Sequence, residues 1–118
     1  MSRSKLTRLT DSPEFERVYR QGTAFRGRLF SVHAFPNEIG TPRLGLSVSK
    51  KVGNAVTRNA VRRRLREVFH STIGRISGSL DLVVSARPPA AEAPFDELSQ
   101  EFLRALGKIG DPDKRRKA

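Results

Sequence analysis

The 118-residue chain has no cysteine and no tryptophan, one tyrosine, one methionine and two histidines. Without cysteine there is neither a disulfide framework nor a thiolate metal site, which fits a reducing compartment. The histidines, His33 and His70, lack the H-x-x-H or H-x-x-x-H spacing of a metal-binding pair. No apolar run approaches the roughly 20 residues that a membrane-spanning helix needs, and the N-terminus has no apolar stretch of a secretory signal. The chain therefore reads as soluble and cytoplasmic, with no membrane partner. Acids are also scarce: 12 Asp and Glu face 23 Lys and Arg, a net charge of +11. An excess of that size points to a polyanionic partner. With eight aromatics (seven Phe, one Tyr) and 36% hydrophobic residues, the chain has material for one core and one domain, residues 1–118.

The same scarcity bears on chemistry. A protein nuclease needs a carboxylate metal cage or an acid and base pair beside a phosphate site. Here the acids gather in the last helical stretch, and no Gly-rich loop with its phosphate-binding lysine is present. No catalytic side chain and no protein-bound metal are expected, and nothing suggests a small-molecule substrate.

What the chain does have is concentrated between Val48 and Ile73. Lys50, Lys51, Arg58, Arg62, Arg63, Arg64 and Arg66 stand against Glu67 alone, so seven positive charges minus one leave +6 of the chain's +11. Val61, Leu65, Val68, Phe69 and Ile73 recur at helical spacing and predict one buried stripe. Asn59, Arg63, Arg66 and His70 then face away from it, with Arg62 on its border. Thr57 is the expected N-cap, Arg58 the first helical residue and Gly74 the C′ residue. A solvated helix face interleaves both signs at i, i+4, whereas these arginines have almost no acidic partners. The pattern suits nucleic-acid phosphates, and Gly53 with the lysine pair at the helix start would allow their close approach.

Around this stretch, residues 1–10 form a polar, basic arm and residues 110–118 a basic tail, both expected to be flexible. A first helix starts at Ser12-Pro13 and ends before Gly22, with Phe15, Val18 and Tyr19 on one side. Three segments alternate with period two: Leu29 to Phe35, Arg43 to Ser49, and Leu80 to Arg87. Each has one apolar face and one small or polar face, predicting a sheet open on one side. Residues 36–42 read as a hairpin-like turn, and 76–79 as a short connector broken by Gly78. A last helix begins near Pro94 with Phe95, Leu98, Phe102, Leu106 and Ile109 as its buried stripe. Its acids, Glu92, Asp96, Glu97 and Glu101, suit the positive end of the helix dipole.

Lys51, Gly53, Ala55, Val56, Arg58, Asn59, Arg62, Arg63, Leu65, Arg66 and Glu67 resemble, position by position, the arginine-rich signature of the protein subunit of bacterial ribonuclease P. The likeness extends through GLSVSKK before this window, SARPPA after it, and F-x-x-V-Y-x-x-G near the N-terminus. It implies an α+β two-layer sandwich in the order α-β-β-β-α-β-α, with a mainly antiparallel four-stranded sheet and helices on one face. It also implies a left-handed βαβ crossover like that in a domain of a small-subunit ribosomal protein.

In that family the RNA subunit and its Mg²⁺ ions cleave precursor tRNA, and the protein assists. The resemblance thus implies two partners, the ribonuclease P RNA subunit and precursor tRNA, and endonucleolytic removal of the 5′ leader. Lys51, Arg58, Asn59, Arg62, Arg63 and Arg66 match the positions that contact the RNA subunit. Phe15, Tyr19, Ser31 and His33 match the cleft for the single-stranded leader, with Ser47 and Ser49 completing its polar floor. Ser31 and His33 depart from the aliphatic and aromatic residues expected there. Two other readings stay open on the residues alone: a ribosomal protein of related fold, and a duplex-DNA regulator using the arginine helix in the major groove. No short helix precedes the arginine helix, which speaks against the second.

Overall fold

The computed structural model describes residues 12–76 and 79–109. The basic arm, the basic tail and the Gly78 break lie outside the described residues. Helix α1 (Ser12–Gln21) ends where the Gly22 N–H donates to Val18 O at 2.9 Å. A Cβ at Gly22 would lie 2.5 Å from the carbonyl oxygens of Val18 and Ala34, so only glycine lets the chain leave the helix this close to the sheet.

Strand β1 (Thr23–Arg26) follows at once, then β2 (Phe30–Pro36), β3 (Arg43–Ser47), helix α2 (Ala55–Thr72), β4 (Leu80–Ala86) and helix α3 (Phe95–Ile109). Single 3₁₀ turns at Ile73–Arg75 and Pro88–Ala91 follow α2 and β4. The four strands lie in the order β1-β2-β4-β3; β1 and β4 are antiparallel to β2, and β3 is parallel to β4. The α-β-β-β-α-β-α order and the mainly antiparallel sheet are as expected. Alternation had located three of the strands; β1, four residues long with Phe25 as its one large apolar residue, is too short for its period to register.

The segment between β2 and β3 is not a hairpin. β4 inserts between those strands, and residues 37–42 pass over its start. Asn37 organises the passage: its backbone N–H donates to Ser79 O (2.9 Å), and its Nδ2 donates to Asp81 Oδ1 (2.7 Å) and Thr41 O (3.2 Å).

One face of the sheet carries the main core. Phe30, Val32, Ala34, Leu44, Leu82 and Val84 meet Val61, Leu65, Val68 and Phe69 of α2 and Leu98, Phe102, Ala105 and Ile109 of α3. Helix α1 departs from the expectation of helices on one face, for it lies across the opposite side. There Val18 (1% exposed) and Val83 (0%) form a second small cluster, with Phe15 and Phe35 packed against it. By the alternation of β4, Val83 falls on the face expected to be open. Its burial explains the continuous apolar run Leu82-Val83-Val84, since a central strand covered on both sides has no polar face to show.

Among the described residues, two carboxylates are buried. Asp81 accepts from Arg43 Nε and Nη2, both at 2.8 Å, as a bidentate pair. Glu101, expected as a dipole partner at a helix start, is 3% exposed. Its Oε2 accepts from the backbone N–H groups of Leu29 (2.8 Å) and Phe30 (3.2 Å), which fastens the β1–β2 turn to α3. Phe95, conversely, is 37% exposed and lies at the margin of the stripe it was expected to lead.

Candidate nucleic-acid interface

Helix α2 begins earlier than capping rules suggested. Asn54 is its N-cap, accepting from the Thr57 N–H at 2.9 Å, so Ala55 is the first helical residue and Arg58 the fourth. Asn and Thr are both good caps, and Ala55 and Val56 carry no buried-stripe signal to decide between them. Gly53, at φ +157°, turns the chain into the helix; a Cβ there would come within 2.9 Å of Thr57 Cβ. At the other end α2 passes into a 3₁₀ turn, and Gly74 is not in a left-handed conformation.

The buried stripe holds Val61, Leu65, Val68 and Phe69 at 0–3% exposure, which leaves the arginine face outward. The first turn carries no acid. Lys51 is exposed in the turn before α2, and Asn59 and Arg63 are exposed on its outer side, with Arg58, Arg62 and Arg66 half-buried. Arg58 Nε donates to Gly53 O (3.2 Å) and Arg62 Nη1 to Asn59 Oδ1 (2.8 Å). These bonds orient two guanidinium groups without neutralising them. Among the described residues, none makes an ion pair with Lys50, Lys51, Arg58, Arg62 or Arg63. Arg64 differs, since its Nη2 reaches the Ala90 and Ala91 carbonyls at 3.4 and 3.2 Å. It braces the 3₁₀ turn rather than joining the outward face.

The second part of the interface is the sheet face that α1 only partly covers. Register places Arg26, Ser31, Ser85 and Ser47 in one row across all four strands. The next row runs Ala24, His33, Val83 and Gly45. Tyr19 spans the two rows. Its ring meets His33 edge-on at 4.5 Å, its hydroxyl is 2.8 Å from Ser85 Oγ, and it is nevertheless 45% exposed. Phe15 meets Tyr19 edge-on at 6.3 Å but is half-buried against the Val18–Val83 cluster. His33 is 7% exposed, and its Nδ1 has no hydrogen-bond partner among the described residues. Burial, and after it the positive charge of Arg26, hold its imidazole below the ordinary 6.5.

Tyr19, Ser31, His33 and Ser47 are thus brought together. Ser49 is not part of the floor: β3 ends at Ser47, and Ser49 Oγ accepts from the Lys51 N–H (3.3 Å) in the turn toward α2. The central hydroxyl of the row, Ser85, was missed as a site residue, although its place in the alternation of β4 put it on the polar face. Because β3 and β4 run parallel, the hydroxyl row lies at the sheet end from which the chain passes into α2. Cationic helix start and polar groove therefore adjoin.

The family model described as Ribonuclease P matches residues 4–110 of this chain. The chain belongs to the ribonuclease P protein family. It is 38% identical over 107 residues to the ribonuclease P protein component of Listeria monocytogenes, covering 90% of this chain and 89% of that one. It is 36% identical over 99 residues to that of Streptococcus pneumoniae, covering 84% and 80%. Among solved structures, the Staphylococcus aureus RNase P protein superposes with a TM-score of 0.78 at 35% identity, over 89% of this chain and 98% of that one. The Thermotoga maritima RNase P protein gives 0.79 at 28% identity, over 88% and 98%.

Proposed function

We propose that this chain is the RNA-binding subunit of a ribonuclease P, assisting a catalytic RNA in removing the 5′ leader from precursor tRNA. Lys51, Arg58, Asn59, Arg62, Arg63 and Arg66 bind the RNA subunit, mainly through its phosphates. Tyr19, Ser31, His33, Ser47 and Ser85 line the groove for the single-stranded leader, with Phe15 behind Tyr19. The observation that carries this reading is the adjacency, at one end of the sheet, of a cationic helix face, whose Lys51, Arg58, Arg62 and Arg63 make no ion pair among the described residues, and a groove of hydroxyls beside an exposed aromatic ring. Phosphates suit the first, and bases that can stack without sequence preference suit the second.

Mg²⁺ belongs in this reading to the RNA subunit and the substrate. Among the described residues, no three His, Asp or Glu side chains come together as a metal cage, and the buried Asp81 and Glu101 are engaged by Arg43, Asn37 and backbone N–H groups. The protein's work is to bind and position.

The test compares precursor and mature tRNA binding by the RNA subunit with and without this chain, and assays the RNA-free protein with Mg²⁺ for cleavage. Added protein should favour the precursor, and protein alone should not cut at the mature 5′ end. Specific cleavage by protein pretreated to remove RNA would sink the reading.

A further inference from the structure

The hydroxyl row ends in a cation that the arginine helix does not account for. Arg26 closes β1, the outer strand, directly opposite Ser31. Phe25 packs on the core side, so alternation turns Arg26 to the groove side. It is exposed, and its guanidinium group makes no hydrogen bond or ion pair with any described residue. Its charge is nevertheless felt at the groove floor, where it contributes to holding the His33 imidazole neutral. His33 there presents a buried ring nitrogen without a partner among the described residues, a second sign that the groove is built to take a ligand.

From Arg26 to Ser47 the row crosses three inter-strand spacings, roughly 14 Å at about 4.8 Å each. Beyond Ser47 lie Lys50, Lys51 and the start of α2. A polar floor with cations at both ends fits a single strand laid across the sheet, its backbone gripped at each edge and its bases over the middle. Charge at one edge only would hold a strand without directing it.

Resting on the leader-groove reading above, we propose that Arg26 is a further RNA-binding residue, contacting a phosphate of the leader at the β1 edge, farthest from α2. The leader therefore crosses all four strands, from the arginine helix outward. Its nucleotides nearest the cleavage site meet the α2 end, and those farther out meet Arg26.

The experiment measures affinity of the assembled RNA–protein complex for precursor tRNAs of stepwise longer leader, across a salt series, for wild type, Arg26→Ala, Arg26→Lys and Arg75→Ala. Arg75 is exposed in the 3₁₀ turn at the far end of α2 and controls for loss of one charge anywhere. Arg26→Ala should keep the gain from the first leader nucleotides and lose that from the outer ones. The expected weakening is roughly two- to fivefold at low salt, as for one exposed ion pair. The salt slope should fall by about 0.7, one single-strand phosphate contact. Arg26→Lys should restore most of both, and Arg75→Ala should match wild type. If wild type itself gains nothing from leader length, the leader-groove reading fails. If wild type gains and Arg26→Ala gains equally, or if Arg75→Ala weakens binding as much, only the role of Arg26 is overturned.

Discussion

The Tyr19 hydroxyl lies 2.8 Å from the Ser85 hydroxyl, joining residues 66 apart and fixing α1 against the central strand. One edge of the ring is held by His33, while 45% of the residue stays open to solvent. A ring held in this way loses little further freedom when a base stacks on it, which favours binding.

Tyr19 and Phe15 should therefore separate when substituted singly. Tyr19→Phe should cost about 0.5–1.5 kcal/mol of stability through the lost hydroxyl pair and leave leader binding nearly intact. Tyr19→Ala should remove one stacking platform, about 1–3 kcal/mol of the gain from the leader, with mature tRNA binding unchanged. Phe15→Ala should lower stability as well, because that ring packs on Val18 and Val83. Melting curves beside a leader-length series check all three. Undiminished leader dependence in a folded Tyr19→Ala variant would make Tyr19 a packing residue only.

His33 predicts a pH dependence of stability. Its folded-state pKa lies below 6.5, through burial first and Arg26 second. As pH falls below about 6.5 the unfolded chain takes up the proton before the folded one does, so the neutral histidine's share of stability, complete above 6.5, drains away on acidification. His33→Gln should flatten the stability-against-pH curve just below 6.5, and Arg26→Ala should make the loss smaller without moving its onset, which the unfolded chain sets. Denaturant melts at stepped pH measure this. A wild-type slope that His33→Gln leaves unchanged would contradict it.

Glu101 should behave as a structural clamp. Glu101→Ala strips the shared acceptor from the buried N–H groups of Leu29 and Phe30, costing about 1–3 kcal/mol for each group left unsatisfied. Glu101→Gln should be milder, because both bonds go to one oxygen that the amide can replace. Urea midpoints should order wild type, Gln, then Ala. Equal midpoints for Gln and Ala would show that the carboxylate charge, not the acceptor, is what matters.

The contrast between these residues shows what the sequence made legible. The outward arginine face of α2 followed from period alone, since Val61, Leu65, Val68 and Phe69 specify which side is buried. Membership of β2, β3 and β4 followed from alternation. The role of Glu101 did not, for a carboxylate near a helix start looks like a dipole partner until backbone 72 residues away is known to lie beside it. Val83 on the supposedly open face and the order β2-β4-β3 were hidden for the same reason: both depend on where α1 and β4 come to rest, which no local pattern encodes. The groove was half legible, with Ser31, His33, Ser47 and Ser85 placed on polar faces by alternation, and their alignment in one row with Arg26 visible only through register.

Arg63 and Arg64, adjacent in sequence, should part company by experiment. Arg63 is exposed and without an ion-pair partner among the described residues, whereas Arg64 is half-buried and bridges to the Ala90 and Ala91 carbonyls. Arg63→Ala should weaken binding to the RNA subunit and lower its salt slope by close to one unit, about 0.7–0.9, with no loss of thermal stability. Arg64→Ala should instead lower stability by about 1–2 kcal/mol, through the lost carbonyl bonds and the lost packing of its stem. Its salt slope should stay near wild type. Arg62→Ala with Arg66→Ala should follow the Arg63 pattern, and Asn59→Ala should weaken binding more gently by releasing the Arg62 guanidinium from its 2.8 Å bond. Binding titrations at several salt concentrations, paired with melting curves, decide the matter. If Arg63→Ala and Arg64→Ala change the salt slope alike, the helix acts as a diffuse positive charge, and the division between an RNA face and a bracing face is wrong.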